Sequence, residues 1–248
     1  MELVVDDALF FKKCIDAVAS LVDEGTFEVS ADGLKLRTMD PSQIAMVDFH
    51  MPKSAFSRLD VSEKTHISVN LADLSKILSR SKPDEKLSMR LEEKESRLVL
   101  EFSGQSKRHF RLPLLDSSSA FPKEPKIAFD ATVKLKGSAF KDMLRDAGLF
   151  SSHVVLQADD AEFLVEAHGD AGDSNVLTKK DSQNMAELKV TAKSRAMFPF
   201  EYLDDMTRAC PDDTAINVEL KTDAPVHVSY EIGHAKLSYY LAPRVERV

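Results

Sequence analysis

The sequence has few of the residues and motifs that mark catalytic sites or membrane proteins. Its 248 residues include two cysteines, eight glycines and no tryptophan. No apolar run approaches the roughly 20 residues that a membrane-spanning helix needs. The start of the chain also lacks the basic and apolar segments of a secretory signal. These absences predict a soluble, intracellular protein.

Catalytic and cofactor motifs are missing as well. The sequence has no P-loop, no Gly-x-Gly-x-x-Gly, no His-Glu-x-x-His and no Cys-x-x-Cys. Its seven histidines never stand four residues apart, so no helix would offer a pair of them to a metal. We therefore predict a protein that is not an enzyme and that holds no metal or cofactor.

Three pairs of adjacent aspartates leave one catalytic alternative open. They are Asp159-Asp160, Asp204-Asp205 and Asp212-Asp213. Paired carboxylates can hold the divalent metal of a nuclease. These pairs fall at predicted turns and helix surfaces, where carboxylates usually serve as solvated charge. A carboxylate-dependent nuclease is therefore the less favoured alternative.

The two cysteines, Cys14 and Cys210, both lie in stretches of helical periodicity. Free cysteine is usually buried and packs like a small hydrophobic residue. So few cysteines are also typical of a chain in a reducing compartment. We predict that both side chains are buried.

The formal net charge is −8, from 33 basic and 41 acidic side chains. Taken alone, an acidic balance argues against nucleic acid as a partner. Phosphate binding, however, depends on a local concentration of lysine and arginine, and an acidic remainder is compatible with it. The distribution of the basic residues therefore matters more than the total.

The most informative pattern is an internal repeat with a spacing of 129 residues. This step joins Phe11 to Phe140, Lys12 to Lys141, Ile15 to Leu144, Leu74 to Leu203, Ile77 to Met206, Leu87 to Ile216, Met89 to Val218 and Leu91 to Leu220. Similarity at a fixed spacing is the signature of a repeated structural unit. Two copies fill the chain.

Each copy is predicted to contain two amphipathic helices. The clearest has an apolar stripe of Leu71, Leu74, Ile77 and Leu78 and spans 71–80. The other predicted helices run from Asp6 or Asp7 to about Val22, from Ser138 as the cap to about Ala147, and from Phe198 to Cys210. The two helices of each copy are expected to lie on one face of a sheet.

Alternating polar and apolar segments predict a many-stranded, mainly antiparallel sheet in each copy, with an acidic turn over 169–174. The fold class is therefore α+β. Three serines and two prolines in 116–125 predict a linker between the copies. We divide the chain into an N-terminal domain over 1–116, a connecting linker over 117–126 and a C-terminal domain over 127–248.

Basic residues recur on the predicted helices of both copies. They are Lys12, Lys13, Lys76, Arg80, Lys141, Arg145 and Arg208. Surface helices commonly carry lysine, but recurrence on equivalent helices of an acidic chain favours a shared role. If the four helices share one face, they form a basic wall that contacts duplex phosphates. No stacking platform or recognition helix accompanies them, so such a wall would not read bases.

Three segments give the chain a resemblance to a known family. They are Thr38-Met39-Asp40-Pro41-Ser42, Asp73-Leu74-Ser75-Lys76-Ile77-Leu78 and Tyr239-Tyr240-Leu241-Ala242-Pro243-Arg244-Val245-Glu246. The last segment is the most specific. The chain resembles proliferating cell nuclear antigen, the sliding clamp of archaeal and eukaryotic replication, from one end to the other.

The resemblance implies a ring of three subunits whose helices line a hole for duplex DNA. The family positions that face DNA match Lys12, Lys13, Lys76, Arg145 and Arg208, to which helix geometry adds Lys141 and Arg80. Such a clamp is no enzyme; it tethers DNA polymerase, ligase and nucleases and is opened by a clamp loader. It works with the chromosomal DNA, in the cytoplasm of an archaeon or in a nucleus. A subunit of a heterotrimeric or checkpoint-type clamp is the alternative within this class.

The family also implies that the ring closes by pairing two sheet edges. The first edge matches 107–115, with Lys107, Arg108, Phe110 and Arg111, and the second matches 175–180, with Val176, Leu177 and Lys179. Phe110 is expected to pack on a neighbouring subunit near Phe150. The basic residues of the first edge are expected to meet Asp146, Asp170 or Asp173.

Partners of the family insert a short peptide with hydrophobic and aromatic anchors into a surface pocket under the linker. The matching positions are Met39, Ile44, Met46, Phe121, Pro225, Tyr240, Leu241, Ala242 and Pro243. Methionine lets one hollow accept several ligands. The linker departs from the aliphatic pattern of the family, because it offers Phe121, Pro122 and Pro125.

Overall fold

The computed structural model describes residues 1–116 and 121–244. Two stretches lie outside the described residues: 117–120 of the predicted linker, and 245–248. The second stretch includes Val245 and Glu246 of the segment Tyr239–Glu246 that carries the family resemblance. The chain forms two compact units. Unit 1 comprises Met1–Pro41, Val47–Pro122 and Ile232–Leu237, and unit 2 comprises Ser42–Met46, Lys123–Glu231 and Ser238–Val248.

The first copy of the repeat begins with a strand and a helix, and its second helix follows the sixth strand. Its elements are β1 (Glu2–Val5), α1 (Ala8–Ala19), β2 (Glu24–Ser30), β3 (Gly33–Met39), β4 (Ala45–Pro52), β5 (Arg58–Asp60), β6 (Thr65–Asn70), α2 (Leu71–Leu78), β7 (Lys86–Glu92), β8 (Arg97–Ser103) and β9 (Lys107–Pro113). The short strand β5 was not predicted.

The second copy has the same order of elements. They are β10 (Ala131–Lys136), α3 (Gly137–Gly148), β11 (His153–Ala158), β12 (Glu162–Gly169), β13 (Gly172–Lys179), β14 (Met185–Val190), β15 (Ser194–Pro199), α4 (Phe200–Arg208), β16 (Ala215–Leu220), β17 (Val226–Ile232) and β18 (Ala235–Leu241). Adding 129 to the bounds of α1, β6 and β8 gives the bounds of α3, β15 and β17. The predicted repeat is confirmed.

In unit 1 one sheet has the strand order β5-β1-β7-β8-β9, and a second contains β4, β3, β2 and β6 in that order. In unit 2 one sheet has the order β13-β12-β11-β15, and another contains β14, β10, β16 and β17. The register is antiparallel in the pairs that β1, β2, β8, β10, β11 and β12 make with their neighbours. The α+β class is confirmed.

The predicted starts of the helices in unit 1 agree with the structure. Asp7 Oδ1 accepts two backbone hydrogen bonds from the first turn of α1, at 2.9 and 3.1 Å. Asn70 caps α2 by accepting from the N–H of Asp73 at 2.9 Å. Both helices end two or three residues earlier than predicted, at Ala19 and Leu78.

The predicted start of α3, with Ser138 as the cap, is wrong by two residues. The helix begins at Gly137, whose N–H donates to the carbonyl of Thr214 at 2.8 Å, and Ser138 N donates to the carbonyl of Asp212 at 3.1 Å. The loop after α4 therefore replaces a side-chain cap. A Cβ at Gly137 would lie 2.8 Å from Cys210 Sγ, so this close approach requires glycine.

The predicted start of α4 is also wrong, because a strand comes first. Phe198 belongs to β15, where it pairs with Val154 of β11, and the helix begins at Phe200 after Pro199. Ser194, Ala196 and Phe198 are buried in alternation along the strand. Phe198 is apolar in either pattern, so the helical period was extended too far.

The predicted acidic turn over 169–174 is mostly strand. β12 runs to Gly169, β13 starts at Gly172, and these two glycines are paired across a two-residue turn. Gly172 has a φ of +147°, and a Cβ at Gly169 would lie 1.9 Å from the carbonyl oxygen of Phe150. The glycines let the hairpin close tightly against Phe150.

Candidate nucleic-acid interface and assembly edges

Unit 1 carries its basic residues on two helices that pack together. Ser75 of α2 donates to Asp16 of α1, with 2.6 Å between Ser75 Oγ and Asp16 Oδ1. The other oxygen of the Asp16 carboxylate is ion-paired with Lys12, one turn earlier on α1. Asp16 therefore joins the two helices and neutralises part of the charge of Lys12.

Lys13, Lys76 and Arg80 are the exposed members of the predicted basic set in unit 1. All three residues are exposed, and among residues 1–116 and 121–244 none of them forms an ion pair with an acidic side chain. The backbone carbonyl of Arg80 accepts a hydrogen bond from Arg108 Nη1 at 2.9 Å, which fixes the end of α2. Exposed cations on adjoining helices suit the oxygens of phosphate groups.

Lys141 is placed differently from Lys12, its equivalent in the first copy. It is 9% exposed, and its Nζ donates to the Cys210 carbonyl at 2.8 Å and to Asp212 Oδ1 at 2.5 Å. The bond from Lys141 lowers the pKa of the Asp212 carboxyl. The exposed position that helix geometry predicted for Lys141 is wrong. Its ammonium group is committed to the loop after α4.

The two arginines of unit 2 are exposed but have acidic neighbours. Arg145 Nη1 lies 3.1 Å from Asp142 Oδ1, and Arg208 Nη2 lies 2.7 Å from both Asp204 Oδ2 and Asp205 Oδ1. The bond to Asp204 raises the pKa of Arg208, whereas burial raises the pKa of Asp205. Each arginine must leave its carboxylates before it can bind a phosphate.

Sequence reasoning placed Asp204 and Asp205 beside Arg208 but did not compare the acidic residues of the two copies, although the repeat contained the signal. The step of 129 residues carries Lys13 onto Asp142 and Lys76 onto Asp205. In both cases a cation of the first copy is an anion in the second. A comparison of the basic residues alone does not reveal this change of sign.

Strand β9 forms one edge of its sheet in unit 1, but one of its basic residues is turned inward. Arg108 Nη2 lies 2.5 Å from Glu85 Oε2, and the guanidinium carbon lies 5.1 Å from the centroid of the Phe102 ring. Glu85 is itself buried. The prediction that Arg108 meets an acid of another subunit therefore disagrees with its contacts, which fix it inside its own unit.

The other predicted interface residues of β9 are accessible. Lys107 and Arg111 are exposed, with Lys107 Nζ 3.4 Å from Glu101 Oε1 and Arg111 Nε 3.6 Å from Glu92 Oε2. Phe110 is half-buried and meets the Phe102 ring edge-on, with centroids 5.6 Å apart. This edge offers backbone groups, two cations and one aromatic ring.

Strand β13 forms the corresponding edge of its sheet in unit 2. Leu177 on this strand is 49% exposed, and Leu149 just after α3 is 75% exposed. A groove between α3 and β13 is lined by Val176 and Leu177 together with Asp142 and Asp146. This edge offers apolar surface flanked by carboxylates.

The remaining predicted residues of this edge have varied surroundings. Lys179 is exposed at the end of β13. Phe150 is half-buried, and its ring lies over Gly172 of the hairpin. Asp173 is paired with His168, with 2.9 Å between Asp173 Oδ1 and His168 Nδ1.

The predicted peptide pocket has its larger share in unit 2. Ala242 N donates to the carbonyl of Ile44 at 2.8 Å, which brings these two segments together. Ile44, Pro225, Ala242 and Pro243 are half-buried. Met46 and Leu241 are 2% and 0% exposed, so an incoming peptide has no access to their side chains in this conformation.

Tyr240 is held from two sides in unit 2. Its ring stacks on His227 with centroids 4.5 Å apart, and its hydroxyl donates to Glu124 Oε1 at 2.9 Å. Glu124 lies within the predicted linker, so this bond fastens the linker to β18. The two residues were not linked by any sequence signal.

The pocket residues of unit 1, Met39 and Phe121, are half-buried. The Phe121 ring lies 6.0 Å from that of His66. It also lines a hollow of about 90 Å³ with Thr26, Thr38 and Ser68 among its walls. This hollow was not predicted.

The aspartate pairs that allow a nuclease have structural partners. Asp159 Oδ1 accepts from the N–H groups of Ala161 and Glu162, both at 3.1 Å, in the turn after β11. Asp213 lies 3.1 Å from Lys136 Nζ, its neighbour Asp212 binds Lys141, and the pair Asp204-Asp205 binds Arg208. Within the described ranges, no group of three or more histidine, cysteine, aspartate or glutamate side chains is arranged to hold a metal ion.

A duplicated α+β unit, with two helices per copy and a long free sheet edge in each unit, defines the class of the DNA clamps. Two family models match the chain: the N-terminal domain of proliferating cell nuclear antigen over residues 1–118 and the C-terminal domain over residues 123–245. The chain belongs to the proliferating cell nuclear antigen family. In the part of the chain that the structure describes, no helix is long and apolar enough to cross a membrane.

Individual relatives agree with this assignment. The DNA polymerase sliding clamp of Methanococcus vannielii is 35% identical over 239 residues, which is 95% of this chain and 96% of the relative. The crystal structure of proliferating cell nuclear antigen from Thermococcus kodakaraensis has a TM-score of 0.93 at 24% identity, covering 98% of this chain and 99% of that one. The A. fulgidus protein, bound to the C-terminal region of FEN-1, has a TM-score of 0.89 at 25% identity, covering 100% of this chain and 99% of that one.

Proposed function

We propose that three copies of this chain close into a ring that encircles duplex DNA and tethers replication and repair enzymes to it. The observation that carries the proposal is the pair of unlike edges, β9 of unit 1 and β13 of unit 2. Each is the last strand of its sheet. Unpaired edges of this length favour pairing with another chain, and head-to-tail pairing closes when the rotation per subunit allows it.

The repeat supports the role of Phe110 in this pairing. The step of 129 residues carries Phe110 onto Tyr239, which is 0% exposed, whereas Phe110 itself is only half-buried. The aromatic side chain at this repeat position is thus fully buried in the second copy and partly exposed in the first. In the ring, Phe110 enters the groove of the next subunit between α3 and β13, beside Val176 and Leu177.

Charge complementarity makes a second copy of the same chain a suitable neighbour. Lys107 and Arg111 of β9 are exposed cations, and Asp146 lines the groove of unit 2. Opposite charges on the two edges set the register and favour head-to-tail contact. This complementarity favours a homotrimer over a heterotrimeric or checkpoint-type ring, which would need the complement on another chain.

The ring holds DNA by enclosure and by contacts to phosphates. Lys141 is left out of the predicted set because it is buried, and Arg145 and Arg208 are held by carboxylates of their own helices, so the proposed contacts are Lys12, Lys13, Lys76 and Arg80. Contacts to phosphate oxygens position a duplex and carry no base sequence. The chain works as a scaffold at the chromosomal DNA and is not proposed to catalyse a reaction.

Partner enzymes are proposed to bind through short peptides. The half-buried residues Ile44, Pro225, Ala242 and Pro243 form the accessible apolar part of the predicted pocket. The A. fulgidus relative holds the C-terminal region of FEN-1, which supports a peptide-binding role for this chain. DNA polymerase, ligase, nucleases and the clamp loader are the expected partners.

Retention on circular DNA tests the proposal. The protein would be loaded onto nicked circular DNA with an ATP-driven archaeal clamp loader and then separated from free protein by gel filtration. We expect retention on the circle, and release after a restriction enzyme cuts it. Equal loss from circular and linear DNA would refute enclosure. Native mass spectrometry of the chain alone separates the alternatives: a trimer supports the homotrimer, and a monomer at micromolar concentration supports a heteromeric ring.

A further inference from the structure

The helices of the two units differ in charge, although they are copies of one another. Within the helix bounds, the basic residues of unit 1 are Lys12, Lys13 and Lys76, and the acidic ones are Asp16 and Asp73. In unit 2 the basic residues are Lys141, Arg145 and Arg208, and the acidic ones are Asp142, Asp146, Glu201, Asp204 and Asp205. The helices of unit 1 are therefore net basic, and those of unit 2 are net acidic.

The difference includes two exposed positions on the helices of unit 1. Lys13 and Lys76 are exposed, and in the described chain neither is paired with a carboxylate. Their equivalents in the second copy are Asp142 and Asp205. A phosphate that is attracted at one helix position in unit 1 is repelled at the same position in unit 2.

The cations of unit 2 are also less available. Lys141 is buried against Asp212, and Arg145 lies 3.1 Å from Asp142. Arg208 is held at 2.7 Å by Asp204 and Asp205. A phosphate contact by either arginine first requires the loss of an existing ion pair.

We propose that the helices of unit 1 make the duplex contacts of the clamp, chiefly through Lys13 and Lys76, and that Asp142 and Asp205 of unit 2 keep the phosphates away. This inference rests on the proposed function and assigns its DNA contacts unequally to the two copies of the repeat. A ring that holds DNA by enclosure does not need strong contacts throughout. Repulsion by one copy limits the number of counterions that binding releases, so the contacts stay weak and easily exchanged.

Paired variants of the full chain test this assignment. One is Lys13→Ala with Lys76→Ala, and its matched control is Arg145→Ala with Arg208→Ala, which removes the same number of cations from unit 2. A third, Asp142→Lys with Asp205→Lys, gives unit 2 the residue type of unit 1. Binding to a fluorescein-labelled linear duplex would be measured by anisotropy over a series of sodium chloride concentrations.

The slope of log K against log salt counts the phosphate contacts, at about −0.9 for each. We expect the Lys13 and Lys76 pair to reduce the slope by about 1.8 or more, because two contacts are lost in each subunit that touches DNA. The Arg145 and Arg208 pair should change it by less than about 0.5, which is below one contact. The lysines introduced at 142 and 205 should tighten binding and steepen the slope.

Two results would overturn the assignment. One is an equal loss of slope in the two alanine pairs. The other is unchanged binding after the aspartates of unit 2 are replaced, including the neutral pair Asp142→Asn with Asp205→Asn, which guards against misfolding of the lysine variant. Native mass and thermal unfolding would confirm that each variant keeps its fold and assembly.

Retention of the wild-type protein on circular DNA separates this inference from the proposed function. If the wild type is retained and the two alanine pairs behave alike, only the unequal assignment fails. If the wild type escapes from circles and linear DNA equally, the clamp function fails and the inference fails with it.

Discussion

Lys141 Nζ lies 2.5 Å from Asp212 Oδ1, so a lysine on α3 is bound to the loop that follows α4. Lys12, its equivalent in the first copy, pairs with Asp16 on its own helix. Lys141 also donates to the Cys210 carbonyl at 2.8 Å and is buried. The same residue type in the same repeat position is therefore buried against a loop in unit 2 and half-exposed in an ion pair on its own helix in unit 1.

Replacing Lys141 should lower stability and leave DNA binding unchanged. Lys141→Met removes a charged hydrogen bond to a backbone carbonyl, and we expect a loss of about 1 to 3 kcal/mol in the free energy of unfolding. Lys12→Met is the matched control. It breaks a half-exposed ion pair worth at most about 1 kcal/mol but removes a proposed DNA contact. Urea unfolding and duplex anisotropy would measure the two effects.

The two readouts should separate in opposite directions. Lys141→Met should unfold at a lower urea concentration than the wild type and bind DNA with unchanged affinity. Lys12→Met should unfold at nearly the wild-type urea concentration and bind DNA more weakly. A loss of DNA affinity in folded Lys141→Met would show that the lysine reaches phosphate after all.

The stability that Asp212 contributes should depend on pH. The bond from Lys141 lowers the pKa of Asp212 below its ordinary value of 3.8. For a carboxyl with a lowered folded-state pKa, the contribution is complete above the unfolded pKa and is lost as the pH falls through the folded one. The wild type should therefore exceed Asp212→Asn in stability at neutral pH, and the gap should close in acid below about pH 4.

Urea titrations of both proteins from pH 7 down to pH 3 would check this. Asp212 is exposed, so added salt should narrow the gap at neutral pH as well. A gap that is constant with pH would mean that the carboxylate charge does not matter. Asp213→Asn, at the neighbouring residue, is the control.

Arg108 should matter more for the stability of unit 1 than for assembly. Its guanidinium binds the buried Glu85 carboxylate and the carbonyl of Arg80 at the end of α2. Arg108→Ala leaves Glu85 without this charge partner, and we expect a loss of about 2 to 4 kcal/mol. Lys107→Ala, at the exposed neighbour, should cost less than about 0.5 kcal/mol.

Hydrogen exchange would show where the Arg108 effect falls. The turn of residues 79–81 that follows α2 should exchange faster in Arg108→Ala, because the carbonyl of Arg80 loses its donor. If Arg108→Ala kept the wild-type free energy of unfolding but dissociated into monomers on dilution, Arg108 would belong to the subunit interface, as the sequence first indicated.

Much of the fold was predictable because the periodic signals were local and repeated. The stripe of Leu71, Leu74, Ile77 and Leu78 gave α2, and the cap at Asp7 gave α1. The errors lie where two patterns share residues. Phe198 suits a helix stripe and a strand equally, and only its pairing with Val154 decides for β15.

The candidate site was less predictable, because tertiary contacts decide which charges are free. Sequence placed Lys141 and Arg108 among accessible cations, but Asp212 and Glu85, at distances of 71 and 23 residues along the chain, bind them instead. No periodicity marks such partners. Opposite charges at repeat-equivalent positions, as in Lys76 and Asp205, are the one part of this pattern that the sequence does contain.

Both cysteines should be inert in the folded protein. Burial raises the pKa of Cys14 to about 12 and that of Cys210 to about 11, so neither forms a thiolate near neutral pH. We expect no reaction with a thiol reagent such as iodoacetamide at pH 8, and two modified cysteines per chain in urea. Mass spectrometry would count the adducts, and fast labelling of the native protein would contradict the predicted burial.

Phe110→Ala should weaken the ring without unfolding the subunit. Phe110 is half-buried in its own unit, and the proposed groove of the next subunit covers the rest of its ring. His109→Ala is the matched control, because the adjacent residue of a strand points to the opposite face of the sheet. Native mass spectrometry on dilution should show monomers of Phe110→Ala at concentrations where the wild type and His109→Ala remain trimers. Circular dichroism should show intact secondary structure, since the loss of one edge contact to Phe102 costs only about 1 kcal/mol. If Phe110→Ala stayed trimeric over the whole dilution series, the assignment of β9 as an assembly edge would be wrong.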